Sequence, residues 1–197
     1  MSLYARRLKC WIDCAVVILL APIWLALMTI ISVVLLLAQG RPIFFFQERS
    51  GLHGQPFQII KFRTMTNEER RGAFISAEVT KAGRVLRKYS LDELPSLINI
   101  ARGEMALVGP RPFLHSYLSA YTERQIERFS VRPGLTGLHQ VSARNECSWS
   151  TKFRYDYVYL ANMSFCLDLL ILLRTARVVL VPAGIEGLGS TKFNKED

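Results

Sequence analysis

Between Cys14 and Ala38 the chain carries no charged residue. That run of about 25 residues would extend about 37 Å as a helix, longer than the roughly 30 Å hydrocarbon core of a bilayer, and it predicts a membrane segment. It is too long for a signal-peptide core, and no small-residue cleavage pattern follows it. Pro22 interrupts the run: its ring removes a backbone donor and clashes with the preceding turn, which predicts a bend at Ala21-Pro22. Arg6, Arg7 and Lys9 precede the segment, and Arg41, Arg49, Lys61 and Arg63 follow it. The positive-inside rule places both flanks in the cytoplasm, which favours a re-entrant helical hairpin over a kinked spanning helix.

Beyond the anchor, the pattern over Pro56 to Met65 predicts a strand with Phe57, Ile59, Lys61, Arg63 and Met65 on one face. The polar stretch Asn67 to Ala77 predicts a solvated loop or short surface helix. Helical periodicity covers Lys81 to Ile100 and Phe113 to Phe129, the second with a core-facing stripe of Leu114, Tyr117, Leu118 and Tyr121. Proline and two glycines make Arg132 to Gly137 a turn. From Trp149 onward, aromatic residues alternate with Lys152, Arg154 and Asp156. Leu167 to Val181 is aliphatic, but Asp168, Arg174 and Arg177 make it too charged to span. These segments suit helices lying in the headgroup layer or amphipathic helices on a soluble core. The stretch 184–197 predicts a mobile tail.

The 197 residues suit one compact domain plus a membrane element. A net charge of +9 on a chain that is 50% hydrophobic favours an anionic membrane lipid surface over nucleic acid as partner. Neither zinc-finger spacing nor an RNA-binding signature is present. Cys10, Cys14, Cys147 and Cys166 show no metal-ligand spacing and predict neither a zinc site nor a disulfide.

Three short segments carry candidate chemistry: Lys61 to Met65, Ser90 to Pro95, and Gly109 to Pro112. Ser90 and Glu93 have capping-box spacing, so the carboxylates Asp92 and Glu93 could simply open a helix, although Pro95 would clash inside it. Functionally, adjacent carboxylates at a helix start offer an ionised nucleophile and oxygen ligands for Mg²⁺. Arg111, held between two prolines, has little backbone freedom to lose and a fork that matches phosphate oxygens. Lys61 and Arg63 would add charge for a diphosphate, or would reach toward lipid headgroups.

The ordered set resembles the monotopic phosphoglycosyl transferases, or bacterial sugar transferases, over nearly the whole chain. It includes the Ala21-Pro22 break, Phe44 to Gly51, Lys61-Phe62-Arg63-Thr64-Met65, Ser90-Leu91-Asp92-Glu93-Leu94-Pro95, Gly109-Pro110-Arg111-Pro112 and Arg132 to Gly137. The short chain looks most like the small enzymes that start protein N-glycosylation with phospho-N,N′-diacetylbacillosamine. The resemblance implies an α+β, mostly helical fold: a re-entrant membrane hairpin over 1–40, a cytosolic catalytic domain with interfacial helices over 41–183, and a tail over 184–197. It implies Asp92 as nucleophile, Glu93 as its partner, Mg²⁺ at the pair, and Lys61, Arg63, Arg111, Pro112, Arg132 and Arg144 around the substrates. The implied reaction moves a sugar phosphate from a UDP-sugar to polyprenol phosphate at the cytoplasmic face of the bacterial inner membrane. A non-catalytic membrane adaptor and a lipid diphosphate phosphohydrolase are the competing functions. The chain departs from the family pattern at Ala106, His139 and Ser142, and at Ala21, where a serine would offer a hydroxyl to the freed carbonyl.

Overall fold

The computed structural model describes Tyr4 and residues 8–66, 78–142 and 148–180. The expected polar loop at Asn67 to Ala77 and the tail at 184–197 lie outside them. The apolar run forms two helices, α1 (Lys9–Leu19) and α2 (Ala21–Gln39), interrupted at Leu20. Pro22 sits at the second position of α2, where a missing N–H costs no intrahelical bond. The indole Nε1 of Trp24 donates to the Val17 carbonyl at 2.8 Å, so a side chain of α2 satisfies a carbonyl of the last turn of α1. α2 is the one helix among the described residues long and apolar enough to cross a membrane.

Both helices rest on the same body. Val17 of α1 packs with Ile59, Ile100 and Met105, whereas Ile31 and Leu35 of α2 pack with Phe62 and Leu86. Their remaining faces are exposed and apolar, with Leu19, Ile23, Ile30 and Leu37 each more than 60% accessible. At the start of α1, buried Lys9 bridges Asp13 and Asp168. Asp13 also accepts the Leu107 amide at 3.1 Å, and Asp168 accepts the Tyr159 hydroxyl at 2.8 Å. Each buried charge therefore has a compensating partner.

The rest is α+β and mostly helical, as expected. β1 (Phe44–Ser50) and β2 (Pro56–Phe62) form an antiparallel pair that sets Phe45 opposite Lys61 and Gln47 opposite Ile59. The free edge of β2 is closed by side chains: Asn99 accepts from Ile60 N and donates to Gln58 O, and Ser96 donates to Ile60 O. These residues belong to the segment after Asp92 and Glu93, so edge closure also fixes the carboxylates against β2.

The expected helix over Lys81 to Ile100 is three pieces: α3 (Lys81–Lys88), a 3₁₀ turn (Leu91–Ser96) and α4 (Leu97–Ala101). Ser90 separates them with φ of 53°, a left-handed conformation that costs a non-glycine residue about 1 kcal/mol. No capping box forms there: the Glu93 amide bonds the Ser90 carbonyl at 3.3 Å, and the Ser90 side chain caps nothing. The tighter 3₁₀ turn also holds Pro95 without a break.

Phe113 to Phe129 likewise forms no continuous helix. It holds 3₁₀ turns at His115–Ala120 and Glu127–Ser130 around the short α5 (Glu123–Ile126), although Tyr117, Leu118 and Tyr121 do face a core with Phe113, Trp149 and Phe153. The turn expected at Arg132 to Gly137 contains a strand, β4 (Gly134–Thr136), parallel to β3 (Ala106–Val108). Glycine is needed at 134 for proximity: a Cβ there would lie 2.1 Å from the Gly109 amide nitrogen.

Three helices complete the described chain: α6 (Leu138–Ser142), α7 (Trp149–Asn162) and α8 (Phe165–Leu180). α7 buries Trp149, Phe153 and Tyr159, so its aromatics serve the core. α8 buries Asp168 and Ile171 but exposes Phe165, Leu169, Leu170 and Leu173.

Candidate active site

Three separate elements bring charge to one place. Edge closure sets the 3₁₀ turn against β2, so Lys61 Nζ meets Glu93 Oε1 at 2.6 Å. The extended segment after β3 delivers Arg111, whose Nη2 reaches the same oxygen at 2.7 Å. Arg49, near the end of β1, donates from Nη1 to the Pro112 carbonyl at 3.1 Å. Together with Ile59, Met105, Gly134 and Leu135, these groups line an open cleft.

The two neighbouring carboxylates are driven apart electrostatically. Burial raises the Glu93 carboxyl, but Arg111 and Lys61 outweigh it and hold it down at about 2. Burial and then the charge of Glu93 raise Asp92, against the pull of Lys61, Arg111 and Arg87. Asp92 accepts no hydrogen bond and forms no ion pair among the described residues. It nevertheless acts on two of the cleft cations, favouring the charged forms of Lys61 and Arg111. Glu93 is thus a fixed anion that organises two cations, while neither oxygen of Asp92 has a hydrogen-bond or ion-pair partner among the described residues.

The cations carry the opposite imprint. Burial lowers Lys61, and Glu93 only partly restores it; burial, then Arg111, lowers Arg49 to about 10. Three cations around two carboxylates leave a net positive cleft, an arrangement that favours an anionic ligand.

The site residues expected from sequence separate into groups. Glu93, Lys61, Arg111 and Pro112 line the cleft, and Asp92 lies beside Glu93, near enough to act electrostatically on Lys61 and Arg111. Arg63 does not line the cleft: its guanidinium donates to the carbonyls of Gln39 and Gly40 at 2.8 and 3.0 Å and closes the end of α2. Arg132 donates to the Gly103 carbonyl at 2.7 Å, at the turn after α4. Arg144 lies outside the described residues. Ala21 and Pro22 start α2 at the helix break. His139 is buried, with Nδ1 3.8 Å from Asp156, and burial lowers its pKa.

Arg49 and Asn99 were not among the sequence candidates. Arg49 had one signal, a cation after the run Phe44-Phe45-Phe46 at the end of a strand. Asn99 looks like an ordinary helix residue, and its role depends on a strand 39 positions away.

As to metal, the donors are hard oxygens: both of Asp92 and the Oε2 of Glu93, since Oε1 already serves Lys61 and Arg111. No group of three or more histidine, cysteine or acidic side chains assembles among the described residues. Such a set fits Mg²⁺, which keeps several waters and takes one or two carboxylates together with substrate phosphates.

Residues 4–182 match the family model described as Bacterial sugar transferase. An uncharacterized sugar transferase of Bacillus subtilis, EpsL, is 53% identical over 150 residues, covering 75% of this chain and 74% of its own. The UDP-glucose:undecaprenyl-phosphate glucose-1-phosphate transferase of Caulobacter vibrioides is 37% identical over 83% of this chain and 66% of its own. A UDP-N-acetylgalactosamine-undecaprenyl-phosphate N-acetylgalactosaminephosphotransferase of Aeromonas hydrophila is 34% identical over 90% of this chain and 44% of its own. The chain belongs to the bacterial sugar transferase family, and its class of chemistry is sugar-phosphate transfer.

Proposed function

We propose that the protein transfers a sugar 1-phosphate from a UDP-sugar to undecaprenyl phosphate through a covalent intermediate on Asp92. The observation that carries this reading is an Asp92 carboxylate without hydrogen-bond or ion-pair partner among the described residues, beside a Glu93 already committed to two cations. A free Asp92 oxygen attacks the phosphorus that bears the sugar. The bond from that phosphorus to the bridging oxygen breaks, and UMP leaves with the electron pair. An oxygen of the polyprenol phosphate then attacks the same phosphorus, the acyl phosphate bond breaks, and Asp92 is regenerated as carboxylate. Arg111 and Lys61 face the charge on the transferring group, and Arg49 lines the same cleft. Mg²⁺ held at Asp92 and Glu93 would neutralise phosphate oxygens.

The reading places the enzyme on the cytoplasmic face of the bacterial inner membrane, in contact with anionic lipid. The exposed apolar faces of α1, α2 and α8 support it, as does the fact that helices on both sides of the Leu20 break pack on one body. We therefore read the pair α1–α2 as re-entrant. Single cysteines replacing Leu8 and Gln55, in a background without native cysteines, should both resist a membrane-impermeant maleimide added to intact cells and react after permeabilisation. Labelling at position 8 alone from outside would establish a spanning helix.

For the donor, the sequence resemblance points to an N-acetylated amino sugar, UDP-N,N′-diacetylbacillosamine, and hence to glycoconjugate assembly leading to protein glycosylation. UDP-glucose and UDP-N-acetylgalactosamine are the competing donors suggested by the relatives. Purified enzyme, Mg²⁺, undecaprenyl phosphate and each donor labelled in the sugar should give a lipid-linked label and UMP. Release of inorganic phosphate would indicate a phosphohydrolase, and no turnover with any donor would indicate a membrane adaptor.

Arg111→Lys keeps the charge but offers a point donor where a planar fork stood. It should lower kcat/KM by about ten- to a hundredfold, or 1–3 kcal/mol, measured as UMP release with the preferred donor. Wild-type kinetics would leave Arg111 as a turn residue only.

A further inference from the structure

Behind the cleft lies a third arginine, Arg128, which does not itself line it but bonds one of the residues that do. Arg128 follows α5 in the 3₁₀ turn Glu127–Ser130 and is only 2% exposed. Its Nη2 donates to the backbone carbonyl of Arg111 at 2.6 Å. The same nitrogen lies 2.9 Å from Asp156, itself 3% exposed on α7. The guanidinium carbon sits 3.9 Å from the centre of the Phe113 ring, two residues beyond Arg111. Arg128 is thus held by charge on one side and by an aromatic face on another, with a directed hydrogen bond to the residue whose side chain holds Glu93.

A contribution to stability does not by itself account for this arrangement, because replacing a buried ion pair with well-packed apolar residues is often neutral or stabilising. The geometry also shows what the pair controls. Residues 111 to 114 form an extended strip without helix or ladder to hold most of it. Arg49 bonds the Pro112 carbonyl at 3.1 Å, and Ser50 N bonds the Phe113 carbonyl at 3.2 Å, both from β1. Arg128 holds the Arg111 carbonyl from the other side. Peptide-plane rotation at Arg111 would swing its Cα and side chain, and a 1 Å displacement at a phosphate clamp is enough to cost a large factor in rate.

We propose that Arg128, braced by Asp156, is a positioning residue that fixes the Arg111 peptide so that the Arg111 guanidinium meets both Glu93 and the donor diphosphate. The proposal rests on the reading of Arg111 as a phosphate clamp, and a double-mutant cycle separates the two. The full chain is prepared as wild type, Arg128→Lys, Arg111→Lys and the double variant, each checked by circular dichroism and thermal unfolding, and kcat/KM is measured by UMP release. Lysine retains the positive charge at 128 but cannot bond the Arg111 carbonyl, face Asp156 and cover Phe113 together. Arg128→Lys should lower kcat/KM by about tenfold, mostly in kcat, and the double variant should be within about twofold of Arg111→Lys alone. Losses that multiply would overturn the relay and leave the clamp standing, as would an Arg128→Lys enzyme with wild-type kinetics. An Arg111→Lys enzyme with wild-type kinetics would overturn the clamp and the relay with it. If Arg128→Lys does not fold, Asp156→Asn takes its place in the same cycle, with the same non-multiplying outcome expected and the same multiplying outcome decisive against it.

Discussion

Asp92→Asn is expected to abolish both the lipid-linked product and the covalent sugar-phosphate adduct while leaving the protein folded. Asparagine matches aspartate in size, and the Asp92 side chain supports no hydrogen bond or ion pair among the described residues, so its replacement breaks no such bond there. It also removes a carboxylate whose ionisation is disfavoured by burial and by Glu93, so the variant should be at least as thermally stable as the wild type. What disappears is the nucleophile. An amide oxygen at this position is a poor attacking group, and residual turnover should be at least 10³-fold below wild type, roughly 4 kcal/mol or more in the barrier. Intact-protein mass spectrometry of wild-type enzyme quenched with donor alone should show one added sugar phosphate, and the variant none. An adduct on Asp92→Asn, or kinetics requiring donor and acceptor bound together, would refute Asp92 as the covalent carrier. The raised pKa adds a pH signature, since Asp92 attacks only when deprotonated. On the acid side kcat/KM should fall with unit slope about an apparent pKa above the ordinary 3.8, while Glu93, held at about 2, contributes no limb in that range.

Much of this site was legible because its parts are local. The Asp92-Glu93 pair, the proline-flanked Arg111 and the apolar run broken at Pro22 each lie within a few consecutive residues. Other parts were not, and the reasons are geometric. Period-two reasoning placed Lys61 and Arg63 on one face, but β2 ends at Phe62, so Arg63 escapes the pleat and turns to the end of α2. Helical periodicity over Lys81 to Ile100 was real as an apolar pattern, yet it cannot report the single left-handed residue, Ser90, that redirects the chain into the carboxylate turn. The glycines at 134 and 137 suggested a turn because the same residue serves positive φ and close backbone approach; only the β3–β4 pairing distinguishes the two. Asn99, Arg128 and Asp156 carry no short-range signature and Arg49 only a weak one, because each takes its role through a partner on another element.

Glu93→Gln tests the opposite half of the pair and should damage both rate and stability, unlike Asp92→Asn. One Glu93 oxygen neutralises two cations, Lys61 at 2.6 Å and Arg111 at 2.7 Å. A glutamine can still accept through its amide oxygen but brings no charge, so the two cations are left facing each other in a partly buried cleft whose Arg49 is already depressed by burial and then by Arg111. Removing one member of a buried charge network leaves its partners uncompensated, and about 2–4 kcal/mol of stability should be lost near pH 7. The sign of the pH dependence follows from the depressed pKa. Glu93 stabilises the fold fully above its unfolded value near 4.5, and that contribution is lost as pH falls through about 2. The stability gap between wild type and Glu93→Gln should therefore be wide at pH 7 and narrow steadily below pH 4, as read by chemical unfolding. Activity should fall by about 10²- to 10³-fold, since Arg111 and Lys61 lose the group that aims them at the phosphate and a Mg²⁺ held at the pair would lose one carboxylate. Unlike Asp92→Asn, this variant keeps its nucleophile and should still accumulate the covalent adduct, only slowly. An enzyme without any adduct after long incubation with donor would move the nucleophile to Glu93. A pH-independent stability gap would mean that Glu93 is not the anion that holds this cluster together.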